Sequence, residues 1–158
     1  MVCIEKQIFL GKQNIDWQGV EQYLKKYVGL HITVAEYGDE ILIPGDFPDE
    51  YAFSDYTKRL RGGLAKTKAN ASQVIIQLIE KATNRRYIEN KSQKHAKDAV
   101  EGWYRYDVSF AVAVRGENEL NIRWNNYKGT LIVRIKNRIL TLYDLINIKK
   151  EACKPLES

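Results

Sequence analysis

Two stretches hold the residues whose types and spacing could do chemistry. Residues 91–115, KSQKHAKDAVEGWYRYDVSFAVAVR, set His95 among Lys91, Lys94 and Lys97 and then place Trp103, Arg105 and Asp107 at every second position. Residues 139–151, ILTLYDLINIKKE, carry Tyr143, Asn147 and Lys149 on one alternation. A histidine crowded by cations gives up its proton more readily, so His95 reads as a base at neutral pH. With Arg123 and Arg134 these residues supply the parts for metal-independent cleavage of RNA. A base removes the 2′-hydroxyl proton, an acid protonates the leaving 5′-oxygen, and cations hold the phosphate as charge builds. His95 would be base or acid, Tyr143 or Lys149 its partner, and Arg105 and Arg134 the clamp. Lys91, Lys94, Trp103, Arg123 and Asn147 would hold the substrate, Trp103 by stacking on a base. The blander alternative is a solvated strand face with ordinary cross-strand pairs. His31, at the head of a β-prone run, reads as a surface or capping residue.

Other chemistries lack their motifs. The chain has no Walker loop, GxGxxG, GxSxG or HExxH, and Gly62-Gly63 before a helix is too short a phosphate cradle. Two histidines and scattered acids suggest no metal centre, and no cofactor is expected. Cys3 and Cys153 lie near opposite ends without a CxxC, which reads as two free thiols. Glu5, Lys6, Lys12 and Asp16 interrupt the N-terminal apolar residues, so neither a signal peptide nor a membrane span is expected, and a cytoplasmic location is. Net charge is +5, unevenly spread: residues 1–55 hold 4 Lys/Arg against 10 Asp/Glu, and residues 56–158 hold 21 against 10. The basic part is a candidate phosphate-binding surface.

The elements that must position these residues follow from periodicity. Asn14 or Asp16 caps a helix to about Val28, ended by Gly29. HITVAEY and EILI, separated by Gly38-Asp39, make a hairpin. Residues 44–56, PGDFPDEYAFSDY, read as an ordered loop held by Phe47, Tyr51 and Phe53. Ser54 or Asp55 starts a short helix stopped by Gly62-Gly63. Residues 64–83 then form one helix with an apolar stripe of Leu64, Ala71, Ile75, Leu78 and Ala82, and with Lys66, Lys68, Asn70 and Gln77 off the stripe. Ser92 caps a helix over 93–101 that carries His95. From Trp103 the period is two: Tyr104, Tyr106, Val108, Phe110, Val112 and Val114 take the core face. Leu120, Ile122 and Trp124 repeat the alternation, residues 127–129 bend the chain, and Leu131, Val133 and Ile135 resume it. The last strand sends Leu140, Leu142, Ile146 and Ile148 inward. This predicts one α+β domain over 1–158: an acidic helix-hairpin part (1–45), then a core (46–156) with a roughly four-stranded antiparallel sheet under helices on one face.

Residues 46–156 resemble a domain of phage and conjugative-element proteins, of the kind attached to large polyvalent proteins. The pieces that carry the resemblance are FPDEYAFSDYTKRLRG, KTKANA, KHAKDA, GWYRYDVSFAV and LYDLINIKKEACKPLE. In its helices-then-sheet layout and its KH-bearing helix the chain is also similar to the barnase, EndoU, colicin and RelE superfamily of small RNases. The resemblance implies a site at Lys94 and His95, Arg105, Tyr143 and Lys149. The chain departs from the nuclease pattern in lacking a second placed histidine and an obvious catalytic glutamate, for which Glu80 and Glu151 are the candidates. The expected activity is that of a toxin or effector endoribonuclease acting on RNA, tRNA among it. The alternative is a non-catalytic accessory or anti-defence protein that binds nucleic acid, or a host protein through Asp46, Asp49 and Glu50.

Overall fold

Alternation after Val100 becomes three long strands in the computed structural model, which describes residues 1–11, 13–90, 100–115 and 122–152. In chain order the elements are β1 (Val2–Ile4), α1 (Trp17–Lys25), β2 (His31–Thr33), β3 (Glu40–Leu42), α2 (Phe47–Phe53), α3 (Asp55–Arg59) and α4 (Gly62–Ala71), then a 3-10 turn (Ser72–Val74), α5 (Ile75–Glu80), β4 (Thr83–Glu89), β5 (Val100–Arg115), β6 (Ile122–Lys136) and β7 (Ile139–Lys150). Among the described residues no helix is long and apolar enough to cross a membrane.

The class is α+β, but the sheet is seven-stranded and mixed, in the order β1-β5-β6-β7-β3-β2, with β4 also paired to β5. This corrects the four-stranded antiparallel expectation. β1 lies parallel to β5, with Val2 beside Phe110, and β3 lies parallel to β7, with Ile41 beside Leu140. β1 is three residues long, too short to leave a periodic signature; the β2–β3 hairpin forms as expected, but its parallel docking on β7 has no local sign in the sequence.

β5 alternates as expected, burying Tyr106, Val108, Phe110 and Val112. β6 runs unbroken through residues 127–129, so the two strands expected there are one. Gly129 passes close under β7, where an added Cβ would sit 3.0 Å from Leu145 Cδ1. Pairing with β5 continues without a register shift from Gly102 opposite Ile135 to Arg115 opposite Ile122. The odd residues of β6 therefore keep one face throughout, the core face of Leu131 and Val133. Ile122 and Trp124 fall on the other face, 46% and 38% exposed. β7 carries two bulges, opposite Gly129 and between the partners of Ile132 and Val133. They shift its inward set to Leu142, Leu145 and Ile148, leaving Ile146 half-buried.

Helices cover one face of the sheet. Asp16 caps α1 by accepting from Gly19 N at 2.9 Å, Val20 and Leu24 are buried, and Gly29 follows at φ +92°. Residues 47–53 are a helix rather than the expected loop. Pro48 fits the first turn, where no N–H is needed, and Asp49 and Glu50 suit its positive end, while Phe47 and Tyr51 are buried. The expected 64–83 helix is interrupted by the 3-10 turn and ends in β4, with Asn84 at φ +51°. Gly62-Gly63 opens α4 instead of stopping α3. Ala71, Ile75, Leu78 and Ala82 are buried as expected, but Leu64 is 37% exposed, and Lys68 and Asn70 are fully buried.

Candidate nucleic-acid interface

The structure spreads the predicted site residues along the sheet face opposite Leu131 and Val133, one end of which α2 reaches. Trp103 stands beside Arg134, and Arg134 beside Thr141. Trp103 meets Tyr143 edge-on with centroids 5.1 Å apart, and the Arg134 guanidinium lies 5.7 Å from the Tyr143 ring centre. Arg134 pairs with Asp46 at 3.3 Å, and Tyr143 lies beside Glu50, so two acids of the expected partner surface are engaged within the chain. Burial, then the Glu50 charge, pushes the Tyr143 hydroxyl up to about 12, and burial raises the Glu50 carboxyl. A phenol so held is a poor proton donor near neutrality.

Lys149 stands at the other end of this face, opposite Lys128. From Arg134 to Lys128 is roughly 20 Å at about 3.3 Å per strand residue. Lys149 and Asn147 line an open hollow of about 520 Å³ with Asp107, Ser109, Lys128 and Thr130. Asn147 occupies the bulge at φ +53°, and Asp107 is taken by Arg86 at 3.0 Å and Asn84 at 2.7 Å. Arg105 lies between the two groups, beside Ile132 and Arg86. Tyr143 and Lys149 thus share no reacting centre. Arg123 corrects the expectation outright: it pairs with Val114 and so takes the opposite face from Arg134, because no bulge intervenes. Lys91, Lys94 and His95 lie outside the described residues. His31 is exposed at the start of β2.

Inside the helix layer is a polar centre that the sequence reading missed. Lys68 Nζ lies 2.7 Å from Asp144 Oδ1 and 2.6 Å from Thr57 Oγ1, and 4.6 and 5.0 Å from the Tyr51 and Tyr56 ring centres. Tyr51 donates to the Lys68 carbonyl, and Tyr56 accepts from Ile148 N at 2.9 Å. Burial lowers the Lys68 pKa against the opposing charge of Asp144, and burial raises Asp144 against the pull of Lys68. The signal for Lys68 was its setting: Ala65, Ala69 and Ala71 around it mark a helix packed closely on more than one side.

The basic half of the chain gathers where α4 meets the far ends of β5, β6 and β7. Two hollows of about 560 and 570 Å³ share Gln7, Lys66 and Val114 and so form one groove. Lys6 and Arg115 line one part and Arg61 and Lys150 the other, while exposed Arg123 stands beside Val114. The floor is Val112, Val114 and Tyr127, the last stacked on Phe110. The N-terminal arm is held there by amides. Asn70 accepts from Phe9 N at 3.0 Å and donates to Phe9 O at 2.8 Å, and Gln73 bonds Ile8 N and Lys6 O. Among the described residues none of Lys6, Arg61, Lys66, Arg115, Arg123 and Lys150 has an ion-pair partner, and Glu5 is the one acid lining the groove. Surplus of base after residue 56 was the legible signal; its convergence was not. Among the described residues no three His, Cys, Asp or Glu side chains cluster to hold a metal ion.

Compared with protein-family models, curated proteins and solved structures, the chain matches none.

Proposed function

We propose that the protein is a nucleic-acid-binding accessory domain that holds a phosphate backbone along the basic groove, with no reacting centre on the outer sheet face. The observation that carries this reading is the convergence of Lys6, Arg61, Lys66, Arg115, Arg123 and Lys150, with no acid partner among the described residues. Elsewhere Arg85, Arg86, Lys128 and Arg134 are neutralised by Asp39, Asp107, Glu151 and Asp46. Gathered cations repel one another, and a polyanion relieves that repulsion while releasing its own counterions.

The test is fluorescence anisotropy of a short labelled RNA across a salt series. Each groove cation that meets a phosphate adds about 0.7 to the log–log salt slope on a single strand, so Lys66→Glu and Lys150→Glu should each flatten the slope by about that amount. Charge reversal at Lys149, on the other face, should leave it unchanged. Equal loss from Lys149→Glu, or none from the groove variants, overturns the reading. RNA recovered from the same incubation in EDTA should be intact. Cleavage abolished by His95→Ala would replace this reading with the ribonuclease one.

A further inference from the structure

The basic groove does not end at Arg61. That residue also lines a cleft of about 780 Å³ between the start of α1 and the α3–α4 junction. Its volume lies within the roughly 300–1,000 Å³ of small-molecule sites. Ile15, Trp17, Leu60 and Ala65 give it an apolar lining, Gln13 and Asn14 supply amides, and Lys58 joins Arg61 as a second cation. No acid lines it. Trp17 is half-buried, packed against the core on one side and bounding the cleft on the other.

Arg61 is held in a definite orientation. Its Nη1 donates to Lys58 O at 2.6 Å and to Leu60 O at 2.8 Å. Both Nη1 hydrogens are then used, which leaves Nε and Nη2, the edge of the guanidinium that receives a phosphate in two parallel hydrogen bonds. Two carbonyls thus anchor one nitrogen of a side chain that lines both cleft and groove, and the other edge stays open to a phosphate.

We infer that the cleft is a subsite for one unstacked nucleotide of the bound strand, with the base against Trp17 and the phosphate on Arg61. The inference rests on the nucleic-acid reading of the groove. An indole and a purine or pyrimidine bury apolar faces against each other without regard to sequence, and the amides of Gln13 and Asn14 offer both donors and acceptors to the base edge. The backbone then leaves the cleft past Arg61 and runs over Lys66 toward Lys150.

The experiment is ¹⁹F NMR on full-length protein carrying 5-fluorotryptophan, whose Trp17, Trp103 and Trp124 signals are assigned by single Trp→Phe replacements. Adenosine monophosphate is expected to shift the Trp17 signal saturably, to leave Trp103 and Trp124 in place, and to bind about tenfold more weakly to Arg61→Ala. Arg61 is exposed and makes no side-chain bond to α4, so the alanine variant loses two bonds to the exposed α3–α4 link and is expected to keep its fold, which far-ultraviolet circular dichroism checks. Inorganic phosphate is the control and should leave Trp17 nearly unmoved. A shift at Trp103 or Trp124 instead, or an equal response to phosphate alone, overturns the subsite. If RNA binds in the anisotropy assay while Trp17 stays still, the subsite falls and the groove stands; if RNA does not bind, both fall.

Discussion

Replacing Lys68 by methionine takes the charge out of the most enclosed polar site of the fold while keeping most of the side chain's volume. In the wild type Lys68 is 0% exposed and Asp144 2%, and they meet at 2.7 Å. The variant leaves the Asp144 carboxylate with the Leu145 N–H at 2.8 Å as its support. An ion left unpaired in such a place costs about 3–5 kcal/mol. With about 2.1 cal/mol/K of unfolding entropy per residue, a chain of this length has roughly 330 cal/mol/K, so Tm should fall by about 9–15 °C by calorimetry. Lys68→Met/Asp144→Leu, which replaces the pair with apolar groups, should recover at least half of that loss. The pH dependence has a definite sign. Burial already holds the Asp144 pKa above 3.8, and without Lys68 it rises further. The native variant then keeps a proton that the unfolded chain releases, so its stability rises as pH falls through that window. Its deficit against the wild type should be larger at about pH 8 than at about pH 5. A single-variant loss under about 1 kcal/mol, or a double-variant loss equal to the sum of the two singles, would refute the reasoning.

Further outcomes follow from other contacts. The Tyr143 hydroxyl is held up to about 12, so the ultraviolet difference between wild type and Tyr143→Phe should show no phenolate at about pH 10, where an ordinary tyrosine is half ionised. In Gly102→Ala the new Cβ would sit 2.8 Å from the Ile88 carbonyl, which cannot move without unpairing β4, and urea denaturation should register a loss of about 1–3 kcal/mol. Arg85 grips both Asp39 oxygens at 2.7 and 2.8 Å between the rings of Tyr37 and Tyr104. Both bonds come from Nη1, so lysine there keeps a charged donor but loses the planar guanidinium stacked between the rings, and should cost about 1–2 kcal/mol. Asn70→Ala strands the Phe9 N–H and carbonyl, which should cost about 1–3 kcal/mol and speed amide exchange in residues 6–10.

What could be read from the chain was whatever a local pattern controls. Asp16 before Trp17 announced α1, Gly38-Asp39 announced the β2–β3 hairpin, and the even residues of β5 named the inner face, because capping, turn chemistry and pleat are set by neighbours in sequence. Failures arose where partners lie far apart. The apolar residues of β6 fit two parities, Ile122 and Trp124 on one and Leu131 and Val133 on the other, so the sequence alone suggests a bend at residues 127–129. The uninterrupted ladder with β5 settles the choice, and Arg123 changes face as a result. Lys68 reads as a surface lysine because Asp144, 76 residues later, is invisible to any local window. For the site, the excess of base after residue 56 was legible and its geometry was not.

α4 joins the buried and the exposed halves of this account. Its inward side holds Lys68 against Asp144 of β7, and Asn70 against the arm that carries Lys6 and Gln7. Its outward side presents Lys66 to the groove, and the residue before it, Arg61, bounds both groove and cleft. On a helix the angle between inward and outward side chains is fixed by 3.6 residues per turn, so where Lys68 is seated decides where Lys66 points. The groove is assembled from a helix, an arm and the ends of three strands, most of them far apart in sequence, and its cations stay gathered against their own repulsion only if each element is held in register. A buried ion pair is a costly way to stabilise a core, since an apolar pair of similar size would do as well. It is a directional way to index one helix to one strand. Lys68 and Asp144 do that here, and the basic rim of the groove inherits its geometry from them.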